Sequence, residues 1–420
     1  MTFGLMRING VESANEMRSQ ARTKPLGGCV PCNWAQLTRY SSKVITPLFY
    51  LTKSARNEPN QYPELVGINP LDANELRARI QTNLDAFVTD HRVLMAAVSP
   101  HTLPLIESLE GLLIGGKRLR PAFAYWGHQA AGGQDSDSVL RACASLEFLQ
   151  ACALIHDDVM DASDTRRGKP AIHKQFETKH ASSSWNGSAK LFGEGAAILV
   201  GDLALSWADE MLLTSGISGD SLTRVKAVYD IMRTELMAGQ YLDLLEQVRG
   251  DITLDRAETV IRFKSAKYTI ERPLHMGAAI AGANHELTQV LSNYGLALGE
   301  AFQLRDDLLG VFGDSSVTGK PAGDDLREGK QTMLIAYANA NADETQKKLL
   351  TKNLGKPELS PETISELQKV LLDCGAHDFV ETRISDYLAK SLVALEALDE
   401  TSEAKSALTE LAILATKRSA

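Results

Sequence analysis

One segment constrains the fold of this chain more than any other. Residues 139–155 hold 13 apolar side chains out of 17, and these cover every face of a helix. A helix that is apolar on all sides is buried in the middle of a protein. The segment leads directly into Asp157, Asp158 and Asp161, whose carboxylates repel one another at a buried site unless a cation compensates. The chain must therefore fold around a helix with an apolar body and an acidic end.

The rest of the chain from residue 71 onward also predicts helices. Long apolar-periodic segments cover residues 74–97, 221–246, 255–282 and 286–311, with few alternations that would favour strands. Ser360-Pro361 supplies an N-cap and a first-turn proline for a helix over residues 362–372. We find no alternation of strands with helices and no repeat of fixed length. The sequence therefore predicts one large all-α domain over residues 71–420.

Residues 1–70 differ from this domain in composition. Residues 1–56 carry a net charge of +6, whereas the whole chain carries -9. The segment is rich in Ser, Thr, Asn, Pro and Gly without a sustained period, which is typical of a poorly ordered extension. Cys29 and Cys32 have CxxC spacing, but no second CxxC or His pair accompanies them. We therefore assign neither a zinc site nor a redox role to them.

Composition excludes several functional classes. The acidic net charge argues against a general nucleic-acid-binding protein, because neutralising phosphates needs a basic surface. No stretch approaches 18 uninterrupted apolar residues, so we expect no membrane span. Five cysteines in 420 residues are too few and too irregular for a disulfide framework. A reducing compartment, the cytoplasm, is the expected location.

A second pair of carboxylates, Asp306 and Asp307, also interrupts an apolar helical run. In the first group, Asp157 and Asp161 are four residues apart and share one helix face, with Gln150 on the same stripe. Oxygen ligands without His or Cys select Mg²⁺, which completes its shell with water and substrate phosphates. A di-iron bundle would need paired Glu-x-x-His motifs, which these helices lack.

Cations are unusually dense around these acids. They include Lys117, Arg118 and Arg120 after Gly115-Gly116, then Arg166, Arg167 and Lys169, and further along Lys264, Lys267, Lys320 and Lys330. Each alone is typical of a solvated surface charge. Together with Mg²⁺ ligands they indicate diphosphate, because a metal ion bridges its oxygens while Arg and Lys neutralise the rest.

Five motifs, in order, resemble the trans-isoprenyl diphosphate synthases of the polyprenyl synthetase family, and among them the geranylgeranyl diphosphate synthases. They are GGKRLRP (115–121), DDVMD followed by RRG (157–168), FKSAKYT (263–269), FQLRDD (302–307) and GKPAGDDLREGK (319–330). The resemblance implies the isoprenoid synthase fold, in which helices surround a deep central cavity, and a homodimer.

The resemblance also assigns residues, motif by motif. It implies that Asp157, Asp161 and Asp306 bind the metal, with Asp158 and Asp307 in support. The contacts to the allylic diphosphate would be Arg166, Lys264, Ser265, Gln303, Lys320 and Lys330. Those to isopentenyl diphosphate would be Lys117, Arg120, Arg167 and Gln150. Three positions depart from the family pattern: Gln150 where many members have His, Gly310 where others carry Asp, and Ser265 where Thr is more usual.

The implied reaction is the Mg²⁺-dependent condensation of isopentenyl diphosphate with a dimethylallyl, geranyl or farnesyl diphosphate, releasing pyrophosphate. Three Mg²⁺ ions per site are implied, with Mn²⁺ as a substitute. Cys152 and Ala153 lie one turn before Asp157 and are small, which favours a product of at least twenty carbons, geranylgeranyl diphosphate. Leu149 and Leu146, about 12–16 Å down the helix from Asp157, are candidate floors of the cavity.

Three alternatives stay open. A longer-chain polyprenyl diphosphate synthase would share every motif. A class I terpene cyclase would carry an Asn/Asp-x-x-Ser/Thr-x-x-x-Glu motif in place of Asp306-Asp307 and would not need the GGKRLRP segment. A non-catalytic regulatory subunit would have lost aspartates or cations, which this chain retains.

Overall fold

The computed structural model describes residues 69–313, 323–356, 358–399 and 401–417, all within the unit Glu64–Ala420. In these residues the predicted all-α fold is confirmed. The α-helices, in chain order, are α1 (Leu76–Val98), α2 (Leu103–Leu113), α3 (Leu119–Ala130), α4 (Asp137–Met160), α5 (Ile172–Ser182), α6 (Ala189–Leu213), α7 (Gly219–Arg249), α8 (Leu254–Val260), α9 (Arg272–Ala281), α10 (His285–Phe312), α11 (Asp324–Glu328), α12 (Met333–Asn341), α13 (Glu344–Asn353), α14 (Pro361–Asp373), α15 (Ala376–Ala394) and α16 (Glu403–Thr416).

A π-helical segment, Ile261–Glu271, joins α8 to α9. Strands β1 (Thr165–Arg166) and β2 (Lys169–Pro170) form a small antiparallel hairpin. Short 3₁₀ turns cover Ala73–Glu75, Pro100–Thr102 and Leu395–Ala397. Nearly all of the proposed extension, with Cys29 and Cys32, lies outside the described residues, so the boundary at residue 70 stays a prediction.

Local capping explains where the long helices begin. The Ser136 side chain accepts a hydrogen bond from the Val139 amide at the start of α4, and Asn284 does the same for Leu287 at the start of α10. Ser360 caps α14, whose first residue is Pro361, as the sequence predicts. These side chains satisfy amide groups that have no partner within the helix.

Helix α4 is the buried helix that the sequence predicts. It packs against α6 on one side and α3 on another, and its apolar residues belong to the larger of two apolar core clusters. Among the described helices, α4 alone is long and apolar enough to cross a membrane, yet 72% of its apolar window is buried inside the protein. Helix α10 packs against α15 and the π-helical segment and contributes to both clusters.

Two glycines allow the π-helical segment to pack closely between α7 and α10. A Cβ on Gly239 of α7 would lie 2.3 Å from the Lys264 backbone nitrogen. A Cβ on Gly299 of α10 would lie 2.6 Å from the Ala266 Cα. Only glycine allows backbones to approach so closely. The position of the segment, and of Lys264 on it, is therefore set by backbone contact with both neighbours.

Candidate active site

Residues of α4, α7, the π-helical segment and α10 line a cavity of about 820 Å³. Most of the predicted site residues line it: Lys117, Arg120, Gln150, Ala153, Asp157, Arg166, Arg167, Lys264, Ser265, Gln303, Asp306, Asp307 and Lys330. Lys320 lies outside the described residues. The predicted residues that do not line the cavity are Asp158, Asp161, Cys152, Leu149 and Leu146.

Asp157 is held by groups from two other helices. Its Oδ1 atom accepts hydrogen bonds from Gln240 Nε2 at 3.0 Å and Lys264 Nζ at 3.1 Å. Burial by itself would raise the pKa of Asp157, but the charges of Lys264, Lys330 and Arg166 hold it below its ordinary value. Asp157 is therefore a carboxylate and is available as an anionic ligand.

The other two aspartates of the first motif occupy different environments. Asp158 is buried and accepts a hydrogen bond from Arg166 Nε at 2.9 Å, so it positions Arg166 at the cavity. The side chain of Asp161 is 1% exposed, and its Oδ2 atom has no hydrogen-bond partner among the described residues. Burial and the charge of Asp157 raise the pKa of Asp161 to about 6. A cation is the natural partner for this oxygen.

Sequence reasoning missed the contribution of α7. Gln240 contacts Asp157, and buried Asp243 accepts a hydrogen bond from Lys264 Nζ at 2.6 Å. Gln247 Nε2 donates to Asp161 Oδ1 at 3.4 Å. The available signal was the polar spacing i, i+3, i+7 on this helix, which places the three side chains on one face. Lys267, counted among the cations, instead pairs with Glu235 at 2.8 Å and does not line the cavity.

The second aspartate group combines an exposed and a buried carboxyl. Asp306 is exposed on the cavity wall, whereas Asp307 is buried and accepts a hydrogen bond from Gln303 Nε2 at 2.7 Å. Burial, then the charge of Asp325, raises the pKa of Asp307 to about 8. Asp306 is therefore the better placed of the two to bind a cation from the cavity.

Lys330 joins the end of α11 to the first aspartate group. Its Nζ atom lies 2.7 Å from Glu328, 3.6 Å from Asp325 and 3.7 Å from Asp161. These charges raise the pKa of Lys330 although burial opposes them. Glu328 also accepts a hydrogen bond from Ser163 Oγ at 2.6 Å, so the turn after α4 is attached directly to this segment.

The donor set fits Mg²⁺ rather than a softer metal. Asp157, Asp161 and Asp306 offer only oxygen atoms, and Asp161 Oδ2 is a buried oxygen without a hydrogen bond. Within the described residues, no three acidic, His or Cys side chains converge as in a preformed metal site. Mg²⁺ is commonly held by one or two carboxylates, with water and substrate phosphates completing its shell. The residues present therefore suit a metal that arrives with a diphosphate.

The segment before α3 is fixed by a buried ion pair. Arg118 has a left-handed backbone with φ of 53°, and its guanidinium contacts Glu147, Gln81 and the Leu113 carbonyl. Both Arg118 and Glu147 are buried. Because Glu147 belongs to α4, this pair attaches the segment carrying Lys117 and Arg120 to the central helix.

Arg120, Tyr268 and Gln150 form a chain of contacts across the cavity wall. The Arg120 guanidinium lies 4.3 Å above the Tyr268 ring and donates to Thr269 Oγ1 at 2.8 Å. The Tyr268 hydroxyl donates to Gln150 Oε1 at 2.8 Å, which leaves the Gln150 amide as a donor for a ligand. Sequence reasoning missed Tyr268, whose partners lie more than 100 residues away.

Arg167 lies in a region of net positive charge. Burial and the neighbouring charges of Arg118, Arg166 and Arg120 lower its pKa, while Glu147 opposes the effect. A site where neighbouring cations lower one another's pKa favours an anionic ligand. The arrangement therefore provides a second anion-binding region in the same cavity.

The four residues predicted to set product length occupy two different positions. Ala153 lines the cavity, together with Glu147, Gln150, Leu154 and Asp157 on the same side of α4. Cys152, one residue away, points elsewhere, and its Sγ atom lies 3.7 Å from His156 Nδ1. Leu149 and Leu146 are fully buried in the core. Neither leucine lines the cavity, so they do not form its floor in this structure. Their role in product length stays a prediction.

One cavity between helices therefore brings together carboxylates from two helices and two sets of cations, an arrangement suited to diphosphate ligands. The model of the polyprenyl synthetase family matches residues 104–371. The chain therefore belongs to the polyprenyl synthetase family, and it is a prenyltransferase.

Relatives and solved structures agree with this assignment. The chain is 32% identical to a geranylfarnesyl diphosphate synthase of Aeropyrum pernix over 72% of this chain and 90% of that protein. It is 34% identical to a geranylgeranyl diphosphate synthase of Methanosarcina mazei over 69% of this chain and 82% of that protein. A crystal structure of geranylgeranyl pyrophosphate synthase from Corynebacterium glutamicum, complexed with isoprenyl diphosphate and magnesium, superposes with a TM-score of 0.80 and 40% identity. That match covers 84% of this chain and all of the other.

Proposed function

We propose that this protein condenses isopentenyl diphosphate with an allylic diphosphate and forms an all-trans prenyl diphosphate, geranylgeranyl diphosphate. One observation carries the proposal: a single cavity holds two regions that suit diphosphates. The first combines Asp157 and Asp306 with Lys264 and Arg166. The second is formed by Lys117, Arg120, Gln150 and Arg167. A reaction that joins two diphosphate substrates needs both.

We assign the metal ligands to Asp157, Asp161 and Asp306, with three Mg²⁺ ions per site, which Mn²⁺ can replace. The support is the oxygen-only donor set and the Corynebacterium glutamicum protein solved with magnesium. Bound Mg²⁺ supplies charge neutralisation for a departing pyrophosphate. Lys264, Arg166 and Lys330 add fixed positive charge next to the same carboxylates.

The reaction assigns a separate task to each region. In the first region the allylic C–O bond breaks, and the lysines and arginine stabilise the negative charge that passes to the pyrophosphate oxygens. The second region holds the other diphosphate so that its double bond attacks the allylic carbon. One new C–C bond forms, one proton leaves, and the released pyrophosphate accepts it. Apolar side chains such as Leu154, Leu236 and Phe302 line the cavity and limit the access of water to the carbocation.

We propose a product of twenty carbons because the side chain that lines the cavity one turn below Asp157 is small. Ala153 lines the cavity there and leaves room for a growing chain. The relatives include geranylgeranyl and geranylfarnesyl diphosphate synthases, so a product of twenty-five carbons is the competing outcome.

We further propose a homodimer through an apolar face formed by α6 and the loop before it. This face consists of exposed large side chains at Trp185, Leu191, Phe192, Ile198 and Leu199. Exposed apolar residues clustered in this way mark interaction surfaces. Light scattering should report a dimer, and a Leu191→Glu, Ile198→Glu variant should report a monomer. The cytoplasmic location stays a prediction.

The test is turnover by the purified chain alone. We expect radiolabelled isopentenyl diphosphate to be incorporated with Mg²⁺ and farnesyl diphosphate, giving a twenty-carbon diphosphate on chromatography. Asp157→Ala should abolish incorporation, whereas the same change at exposed Asp373 should not. A cyclic hydrocarbon product would support a terpene cyclase. No extension by the wild-type chain would support a regulatory subunit.

A further inference from the structure

The acidic wall on α10 has a gap one turn after its aspartates. Position 310 lies three residues after Asp307 and four after Asp306, so the three positions share a helix face. Residue 310 is glycine, and it lines the cavity. The helix itself therefore supplies no side chain at the place where a third carboxylate would face the cavity.

Another part of the chain fills this gap. A Cβ built on Gly310 would lie 2.0 Å from Asp325 Oδ2 and 2.4 Å from Asp325 Cγ. The carboxylate of Asp325 thus occupies the volume that a side chain at position 310 would take. Asp325 also lines the cavity, and its backbone carbonyl accepts a hydrogen bond from the Lys330 amide at 3.0 Å. The glycine and the aspartate are sterically complementary.

We infer that Asp325, on α11, supplies to the metal and diphosphate site the carboxylate that α10 lacks at Gly310. The inference rests on the proposed function, because it assigns a further residue to the same site. Asp325 would orient the ligands of a bound metal ion or their water molecules, as carboxylates next to metal ligands do.

A second observation points to the same place. Lys330 Nζ lies 3.6 Å from Asp325 Oδ1 and 3.7 Å from Asp161 Oδ2. Asp161 Oδ2 is the buried oxygen without a hydrogen bond described above. The Lys330 ammonium group therefore links Asp325 to the aspartates of the first motif.

A purely structural role for Asp325 is the alternative. Asp325 does help to neutralise Lys330, but it shares this role with Glu328, whose Oε2 atom is closer to the same nitrogen, at 2.7 Å. A structural role also does not explain why α10 carries a glycine, and so no side chain of its own, at position 310. The two roles predict different behaviour for variants at position 310.

The experiment measures Mn²⁺ binding by electron paramagnetic resonance, with inorganic pyrophosphate present, so that no turnover is needed. We expect Asp325→Ala to weaken Mn²⁺ binding by about 10–100-fold, the usual loss when a group supporting metal ligands is removed. Gly310→Ala should weaken binding similarly, because its Cβ displaces the Asp325 carboxylate. Its melting temperature should not fall, since alanine favours a helix over glycine.

A reciprocal exchange gives the sharpest result. The double variant Gly310→Asp, Asp325→Ala returns a carboxylate to the same volume and should recover most of the lost affinity. Asp325→Asn repeats the test with an isosteric side chain, and Asp373→Asn, at an exposed site, is the charge-matched control. Wild-type affinity in Asp325→Ala, or no recovery in the double variant, overturns the inference. Absence of Mn²⁺ binding by the wild-type protein would instead reject the proposed function and the inference with it.

Discussion

Replacing Tyr268 with Phe isolates one hydrogen bond in the second anion-binding region. The buried Tyr268 hydroxyl donates to Gln150 Oε1 at 2.8 Å, and this bond fixes which end of the Gln150 amide faces the cavity. The ring remains in Tyr268→Phe, so the contact with Arg120 at 4.3 Å is kept. Only the orientation of Gln150 should change.

The magnitude follows from the energy of that bond. A hydrogen bond between uncharged groups contributes about 0.5–1.5 kcal/mol net, which corresponds to roughly a 2- to 12-fold change in an equilibrium constant at about 1.4 kcal/mol per tenfold. If Gln150 holds isopentenyl diphosphate, the KM for that substrate should rise by this factor. The KM for farnesyl diphosphate should stay the same, because its proposed contacts lie in the other region.

The assay is steady-state kinetics with each substrate varied in turn. Tyr241→Phe is the matched control, since Tyr241 is 64% exposed on α7 and lies outside the described cavity lining. An unchanged KM for isopentenyl diphosphate, or a larger effect on farnesyl diphosphate, would refute this account of Gln150.

Three further predictions follow from other contacts. Gly239→Ala should lower both the rate of turnover and the melting temperature, because a Cβ there would lie 2.3 Å from the Lys264 backbone nitrogen and would displace the segment that carries Lys264. An unchanged rate would show that the position of Lys264 does not depend on this contact. Ala153→Phe should shorten the product seen on chromatography, since residue 153 lines the cavity, and an unchanged length would reject that role. Burial would raise the pKa of Glu235, but hydrogen bonds and charges from Arg272 and Lys267 lower it below its ordinary value of 4.5. The ionised Glu235 side chain therefore stabilises the folded state above pH 4.5, and this contribution is lost as the pH falls through the lowered pKa. Denaturant titration should therefore show Glu235→Gln less stable than wild type by about 1.5–3 kcal/mol at pH 7, with the gap closing in acid; Glu286→Gln, at an exposed position, should show no such gap.

The helices were largely predictable because their signals are local. Periodicity and capping predicted residues 286–311 and 362–372 as helices, and the structure has them at His285–Phe312 and Pro361–Asp373. The π-helical segment was not predicted. Gly239 and Gly299 pack closely against this segment, and no local pattern reveals those contacts.

The candidate site was predictable in its residue types but only partly in its pairings. The motifs identified Asp157, Lys264 and Asp306, and all three line one cavity. They did not identify Gln240, which is 83 residues from Asp157 in sequence and 3.0 Å from it in space. The motifs also did not show that Asp158 accepts a hydrogen bond from Arg166, because a motif lists side chains without stating which neighbour each one contacts.

The sequence by itself determined a buried helix with an acidic end, a second acidic helix and enough cations for diphosphate. These properties depend on composition and on the 3.6-residue period, both of which act within one segment. The tertiary structure alone decided that Asp243 pairs with Lys264 and that Asp325 occupies the space beside Gly310. The physical reason is that charge pairing and steric fit depend on distances of a few ångströms between helices, and packing sets those distances.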